Sequence, residues 1–113
     1  MTQAEAVLDS NQARVVLDAI RETCAFRGWT PIAIHVRSTH VHLIVDGISD
    51  VSSAVRDFKS YASRALNDGV FRRRWARGGN GRLLDNPRAV HAAVRYIADR
   101  QGPPIALYVA ADF

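Results

Sequence analysis

The chain has 113 residues, of which 48% are hydrophobic and 23% are charged. This composition is typical of one folded domain rather than of a disordered or fibrous chain. No apolar run approaches the ~20 residues that a membrane-spanning helix requires, and the opening Met1-Thr2-Gln3-Ala4-Glu5 lacks the features of a secretory signal. We therefore expect a single cytoplasmic domain over residues 1–113.

Basic residues outnumber acidic ones by 15 to 11, and all but Lys59 are arginine. Their distribution is uneven: residues 56–82 carry a net charge of +6, residues 1–55 carry −2, and residues 83–113 are neutral. Arginine binds phosphate oxygens through paired hydrogen bonds, so the central segment indicates a partner that carries phosphates. Composition alone fits a solvated surface in a protein from a GC-rich genome equally well.

Helical spacing of apolar residues occurs three times along the chain. The first helix is expected to begin with a cap at Ser10 or Asn11 and to end at Gly28. The second begins at Ser49-Asp50 and ends at Gly69. Cys24 lies on the apolar stripe of the first helix, and we interpret it as a buried structural thiol.

The third helix is expected to open with Asn86 as its cap and Pro87 at its first position, and to stop at Gly102. After it, residues 105–109 predict a short strand or a docked tail. At the other end of the chain, only Ala4–Leu8 offers a short strand before the first helix.

Alternating apolar residues on both sides of Arg37-Ser38 predict an antiparallel hairpin with that pair as its turn. In this register His40 lies opposite His35, and His42 lies opposite Ala33. A strand hairpin with packed helices predicts an α+β domain.

His40 and His42 are the sharpest chemical feature, since residues two apart on a strand project from the same face. Two ligands of one metal ion need this proximity. The alternative is the polar, solvent-facing side of an edge strand with no metal.

Tyr96 is the second candidate, at the edge of the apolar stripe of the third helix. A phenol has a pKa near 10 and needs a metal ion or basic surroundings to act as a nucleophile. A tyrosine that packs its ring and leaves its hydroxyl in water is the simpler interpretation. Tyr61 and Tyr108 are rival tyrosines, and His91 is interpreted as a surface histidine.

The basic segment with the second helix suits single-stranded nucleic acid, because arginine and lysine bind phosphates and aromatic rings stack on bases. Phe71 and Trp75 are the candidate stacking residues, although Trp75 could instead fill the core below a solvated loop. The polar face of the second helix is expected to carry Arg56, Lys59, Ser60, Ser63 and Arg64. The DNA-binding candidates are Arg56, Lys59, Arg64, Arg72, Arg73, Arg74, Trp75, Arg77 and Arg82.

Four blocks, in order over about residues 12–104, resemble the single-tyrosine HUH transposases of insertion sequences and their repeat-associated relatives. The blocks are Arg37 to Val45 with its His-Val-His, Phe58 to Arg64, Trp75 to Leu84, and Val94 to Ile97 running into Gln101-Gly102.

The resemblance implies a prokaryotic enzyme that cleaves and rejoins single-stranded or hairpin DNA. His40, His42 and Gln101 would hold Mg²⁺ or Mn²⁺, and Tyr96 would attack the phosphate to form a 5′-phosphotyrosine. It also implies a homodimer and an antiparallel sheet of ferredoxin-like type with helices packed on one face. A catalytically silent nucleic-acid-binding relative and a metal-dependent phosphodiesterase remain as alternatives.

Overall fold

The computed structural model describes residues 8–38, 40–66, 87–100 and 105–110. These residues form three helices and three strands in the order α1, β1, β2, α2, α3, β3. Their bounds are Ser10–Arg27 for α1, Thr30–Val36 for β1, Val41–Asp46 for β2, Val51–Leu66 for α2, Pro87–Arg100 for α3 and Ala106–Val109 for β3. None of the described helices is both long enough and apolar enough to span a bilayer.

The strands form one antiparallel sheet in the order β2-β1-β3. The predicted α+β class is confirmed, and the segment near residue 105 is a strand rather than a tail. The short strand expected at 4–8 lies outside the described residues except for Leu8. Leu8 is buried, and its backbone N–H donates to the carbonyl of Ser38 in the hairpin turn.

The N-cap of the first helix lies one or two residues before the predicted positions. Asp9, rather than Ser10 or Asn11, is the N-cap: its carboxylate accepts from the backbone N–H of Gln12 at 2.8 Å. The Gln12 side chain accepts in return from the Asp9 backbone N–H at 3.0 Å, which completes a capping box. The helix ends at Gly28 as predicted, in the left-handed conformation with φ 77°.

The start of α2 is also as predicted, with the Asp50 carboxylate accepting from the backbone N–H of Ser53 at 3.1 Å. Pro87 is the first residue of α3, as expected. The remaining predicted helix boundaries, Gly69, Asn86 and Gly102, lie outside the described residues.

The predicted hairpin register is wrong by two residues. His35 pairs with His42 and Val36 with Val41, so the turn contains residues 37–40 and closes with a bond from the Arg37 N–H to the His40 carbonyl. A slip of two residues leaves every side chain on its original face, because the side-chain period of a strand is two. The apolar pattern therefore could not distinguish the two registers.

The two faces of β1 also differ from the expectation at one position. The register between β1 and β2 shifts between Pro31 and Ala33, as at a β-bulge, where the extra residue bends the strand. Ile32 consequently joins the apolar cluster of Ala33 and Ile44 instead of facing the same side as Ile34.

Both faces of the sheet are covered, by different helices, whereas the resemblance implied helices on one face only. On one face, α1 and α2 pack together and form the main core with Ile34 and Val36. On the other, α3 packs on β1 and β2 through Val94 and Ile97. Cys24 lies fully inside the main core, as predicted, where burial raises the pKa of its thiol to about 11.

The capping box predicts different effects for adjacent substitutions. Asp9→Ala should lower the free energy of unfolding by about 1 kcal/mol, because it removes the acceptor that satisfies the first turn of α1. Ser10→Ala, one residue later, should change it by less than about 0.5 kcal/mol. Urea denaturation of the two variants measures both values, and a Ser10 effect as large as that of Asp9 would contradict the assigned cap.

Candidate active site

The predicted metal-binding pair lies where the hairpin turn leads into β2. His40 is exposed just before the strand, and His42 is half-buried inside it. Their rings are parallel to within 3°, with centroids 6.2 Å apart. The hairpin thus brings two imidazoles side by side, one from the turn and one from β2.

This spacing is close to the upper limit for two ligands of one ion. With metal–nitrogen bonds of about 2.1 Å, two imidazoles on opposite sides of an ion have ring centroids about 6.5 Å apart, and two at a right angle have them about 4.6 Å apart, so the rings would have to move closer to bind at adjacent positions. Within the described residues, no three His, Cys, Asp or Glu side chains converge to hold an ion. Oxygen donors, from water, a phosphate or an amide, would have to fill the remaining positions of a six-coordinate Mg²⁺ or Mn²⁺.

A third histidine lies beside the pair. His35 is fully buried on the central strand and stands directly opposite His42, with ring centroids 6.3 Å apart and an interplanar angle of 61°. The predicted register instead placed His35 opposite His40. The corrected register makes His35 a neighbour of His42, the more deeply placed member of the pair.

The surroundings favour the neutral form of His42. Partial burial lowers the pKa of its imidazole, and the positive charges of His35, His40 and Arg37 lower it further. A neutral imidazole has the free lone pair that metal coordination requires. The environment of His42 therefore keeps this imidazole in the neutral form that can coordinate an ion.

Helix α3 packs on the same face of the sheet as the histidines. Ala33 and Ile44, which contact it, are two residues along the strands from His35 and His42 and so share their face. Tyr96 lies on this helix with 52% of its surface exposed. Its ring is therefore outside the helix–sheet contact and open to solvent.

The rival tyrosines lie on the opposite side of the sheet. Tyr108 packs against the main core below the guanidinium of Arg21, whose Cζ is 4.5 Å from the ring centroid. Tyr61, on α2, contacts Phe26 of α1. Tyr96 is thus the one tyrosine of the three whose element packs on the histidine face.

The basic candidates on α2 do not lie on the histidine face. Arg56 and Arg64 are exposed and Lys59 is half-buried, on a helix that packs with α1 against the other side of the sheet. The other candidates, Gln101, Arg72, Arg73, Arg74, Trp75, Arg77 and Arg82, lie outside the described residues.

Ser63 departs from its predicted position on the polar face of α2. It is 5% exposed, and its Oγ has no hydrogen-bond partner among the described residues. Ser63 was predicted on the polar face only because its side chain is polar. The contact of His35 with His42 was also not predicted. The available signal was that the hairpin pattern placed both side chains on the same face of the sheet.

A comparison with protein families decides the assignment. The family model described as "Transposase IS200 like" matches residues 2–80, which is more than half of the chain. The chain belongs to the IS200-like transposase family. The resemblance noted in the sequence is thereby confirmed at the level of the family, which consists of DNA-processing enzymes. No curated protein and no solved structure matches the chain.

The match to the IS200-like transposases covers part of the candidate site. It contains α1, the β1–β2 hairpin with His40 and His42, and α2, and it ends at residue 80. Tyr96 and Gln101 follow that boundary. Their roles rest on the resemblance of the later blocks and, for Tyr96, on its position on α3.

In the metal-free protein, we expect the His42 imidazole to titrate below its ordinary pKa of 6.5. As pH falls through 6.5, the unfolded chain takes up this proton before the folded one, so His42 lowers stability on acidification. His40→Gln removes one positive neighbour and should raise the pKa of His42. Histidine ring NMR in EDTA measures both values, and a His42 midpoint above 6.5 would contradict the described environment.

Proposed function

We propose that this transposase cleaves and rejoins single-stranded DNA through a 5′-phosphotyrosine on Tyr96, at a divalent metal site that includes His40 and His42. The supporting observation is that α3, which carries the exposed Tyr96, packs on the sheet face that presents the two histidines. Single-stranded or hairpin DNA is the proposed substrate, and a homodimer the proposed assembly.

The two imidazoles would hold Mg²⁺ or Mn²⁺, with Gln101 as a further ligand. When bound, the ion supplies Lewis-acid polarisation of the scissile phosphate. His42 projects from β2 and His40 from the end of the hairpin turn just before it, so the hairpin sets the separation of the two rings. The lowered pKa of His42 keeps that ligand in its neutral, coordinating form near pH 7.

In the proposed step, the Tyr96 Oη attacks phosphorus as its phenol proton is lost. An Oη–P bond forms and the P–O3′ bond breaks, and the leaving 3′ oxygen takes up a proton to become a 3′-OH. The 5′ end of the broken strand then remains on the enzyme. Attack by another 3′-OH reverses the exchange and joins strands, so the energy of the phosphodiester bond is conserved.

The exposure of Tyr96 agrees with this role. A nucleophile must reach a phosphate in a bulky strand, and a ring that is 52% exposed is accessible to such a substrate. Tyr108, by contrast, lies beneath Arg21 on the other side of the sheet. The alternative enzyme, a metal-dependent phosphodiesterase, can be distinguished by experiment, because an enzyme that activates water needs no tyrosine.

Substitution of the histidines should remove the metal site. His40→Ala and His42→Ala should each weaken Mn²⁺ binding by at least the 10- to 100-fold that loss of an outer-shell partner costs. His91→Gln, on the exposed side of α3, is the matched control and should bind as the wild type does. Calorimetric titration with Mn²⁺ measures the affinities, and an unchanged affinity in both alanine variants would exclude this pair as ligands.

The covalent step is tested directly with labelled single-stranded DNA hairpins and Mn²⁺. We expect an adduct on a denaturing gel that disappears in Tyr96→Phe and persists in Tyr108→Phe, which removes an equivalent hydroxyl from the other side of the sheet. Cleavage without an adduct that survives Tyr96→Phe would indicate the phosphodiesterase. Binding with neither adduct nor cleavage would indicate the silent relative.

A further inference from the structure

A cluster of aromatic and arginine side chains lies far from the histidine face, where the end of α1 meets the middle of α2. Phe26 is 71% exposed, which is unusual for so large an apolar side chain. Its ring lies 6.3 Å from that of the half-buried Tyr61, at an angle of 47°. The two helices thus present a pair of neighbouring aromatic rings at the surface.

Each ring is accompanied by a guanidinium group. The Cζ of Arg27 lies 5.4 Å from the centroid of Phe26, and the Cζ of Arg64 lies 4.8 Å from that of Tyr61. We call Phe26, Arg27, Tyr61 and Arg64 the aromatic–arginine cluster. Its members alternate between surfaces that stack on planar groups and cations that bind phosphate.

Local contacts hold both arginines in place. The Arg27 Nε–H donates to the Asp57 carboxylate at 3.0 Å. Arg64 donates to the backbone carbonyl of Ser60 at 3.5 Å and to its hydroxyl at 3.2 Å. Held side chains lose less conformational freedom when they bind a ligand, so the cluster is partly pre-organised.

The main core does not account for Phe26. The aromatic contact between Trp29 and Phe58 already ties this region to α2 from the buried side, with centroids 5.5 Å apart. A ring that is 71% exposed gains little from burial in the folded chain. Its position on the surface is therefore available for an external ligand.

We propose that the aromatic–arginine cluster is a second binding site for single-stranded DNA, in which unpaired bases stack on Phe26 and Tyr61 and the flanking phosphates contact Arg27 and Arg64. This deepens the proposed function and rests on it only for the identity of the ligand. Charge decides between occupants: an apolar protein surface would bury the guanidinium of Arg64 and the ion pair of Arg27 with Asp57 at a cost, whereas a nucleotide strand supplies planar groups and anions together.

The position of the cluster sets the length of DNA that can reach it. Helices α1 and α2 cover the face of the sheet opposite the histidines. The shorter extents of the molecule are 28 and 24 Å, which a strand that keeps the ~3.4 Å rise of a stacked duplex strand crosses in about seven or eight nucleotides. A stacked strand held at the histidine face therefore reaches the cluster once its flank is about that long.

The test is the affinity of the full chain for oligo(dT) of 5 to 25 nucleotides, with Phe26 replaced in turn by Ala, Leu, Tyr and Trp. We expect the wild-type affinity to rise once the strand exceeds about eight nucleotides. Phe26→Ala and Phe26→Leu should lower the affinity for the long strands by about 5- to 100-fold. Phe26→Tyr and Phe26→Trp, which keep an aromatic ring, should retain it, and long strands should quench the added indole fluorescence.

Three results would overturn the proposal. Unchanged affinity of Phe26→Ala at every length would exclude stacking, and full retention by Phe26→Leu would indicate a merely apolar contact. A changed sedimentation coefficient in Phe26→Ala with unaltered DNA affinity would identify a second copy of the chain as the occupant. These affinities are measured without cleavage. The absence of a Tyr96 adduct would therefore count against the proposed function, whereas the dependence of affinity on strand length tests the aromatic–arginine cluster separately.

Discussion

The pairing of β1 with β2 is the constraint on which the rest of the structure depends. In this register His35 faces His42, Ile34 faces Leu43, and the turn expands to residues 37–40. A slip of one residue would exchange the two faces and bury the imidazole of His42 in the main core. The observed pairing keeps the half-buried His42 on the face on which α3 packs.

The two faces of the sheet have different roles, one in stability and one in presenting the candidate site. On one face, α1 and α2 bury Ile34 and Val36 in the larger apolar cluster, which stabilises the fold. On the other, a smaller cluster seats α3 and leaves Tyr96 exposed. The larger core thus allows the second face to hold imidazoles and an exposed tyrosine, groups that contribute little to apolar burial.

Sequence patterns predicted most of the elements because their physics is local. The apolar stripes located α1 and α2, and Gly28 marked the end of α1 through its left-handed conformation. The register escaped prediction because the correct and the wrong pairing satisfy the same alternation. The bulge escaped it because it breaks that alternation at Ile32. The same limit concealed the contact of His35 with His42, and no local pattern could show that α2 lies on the opposite side of the sheet.

The central claim is that the histidine pair and the tyrosine of α3 belong to one site. Replacing the three tyrosines with 3-fluorotyrosine and adding substoichiometric Mn²⁺ tests it, because the bound paramagnetic ion broadens the fluorine resonances nearest to it. With the signals assigned by single Tyr→Phe substitutions, we predict that Tyr96 broadens most and that His42→Ala abolishes the effect. Stronger broadening of Tyr61 or Tyr108 would contradict the account.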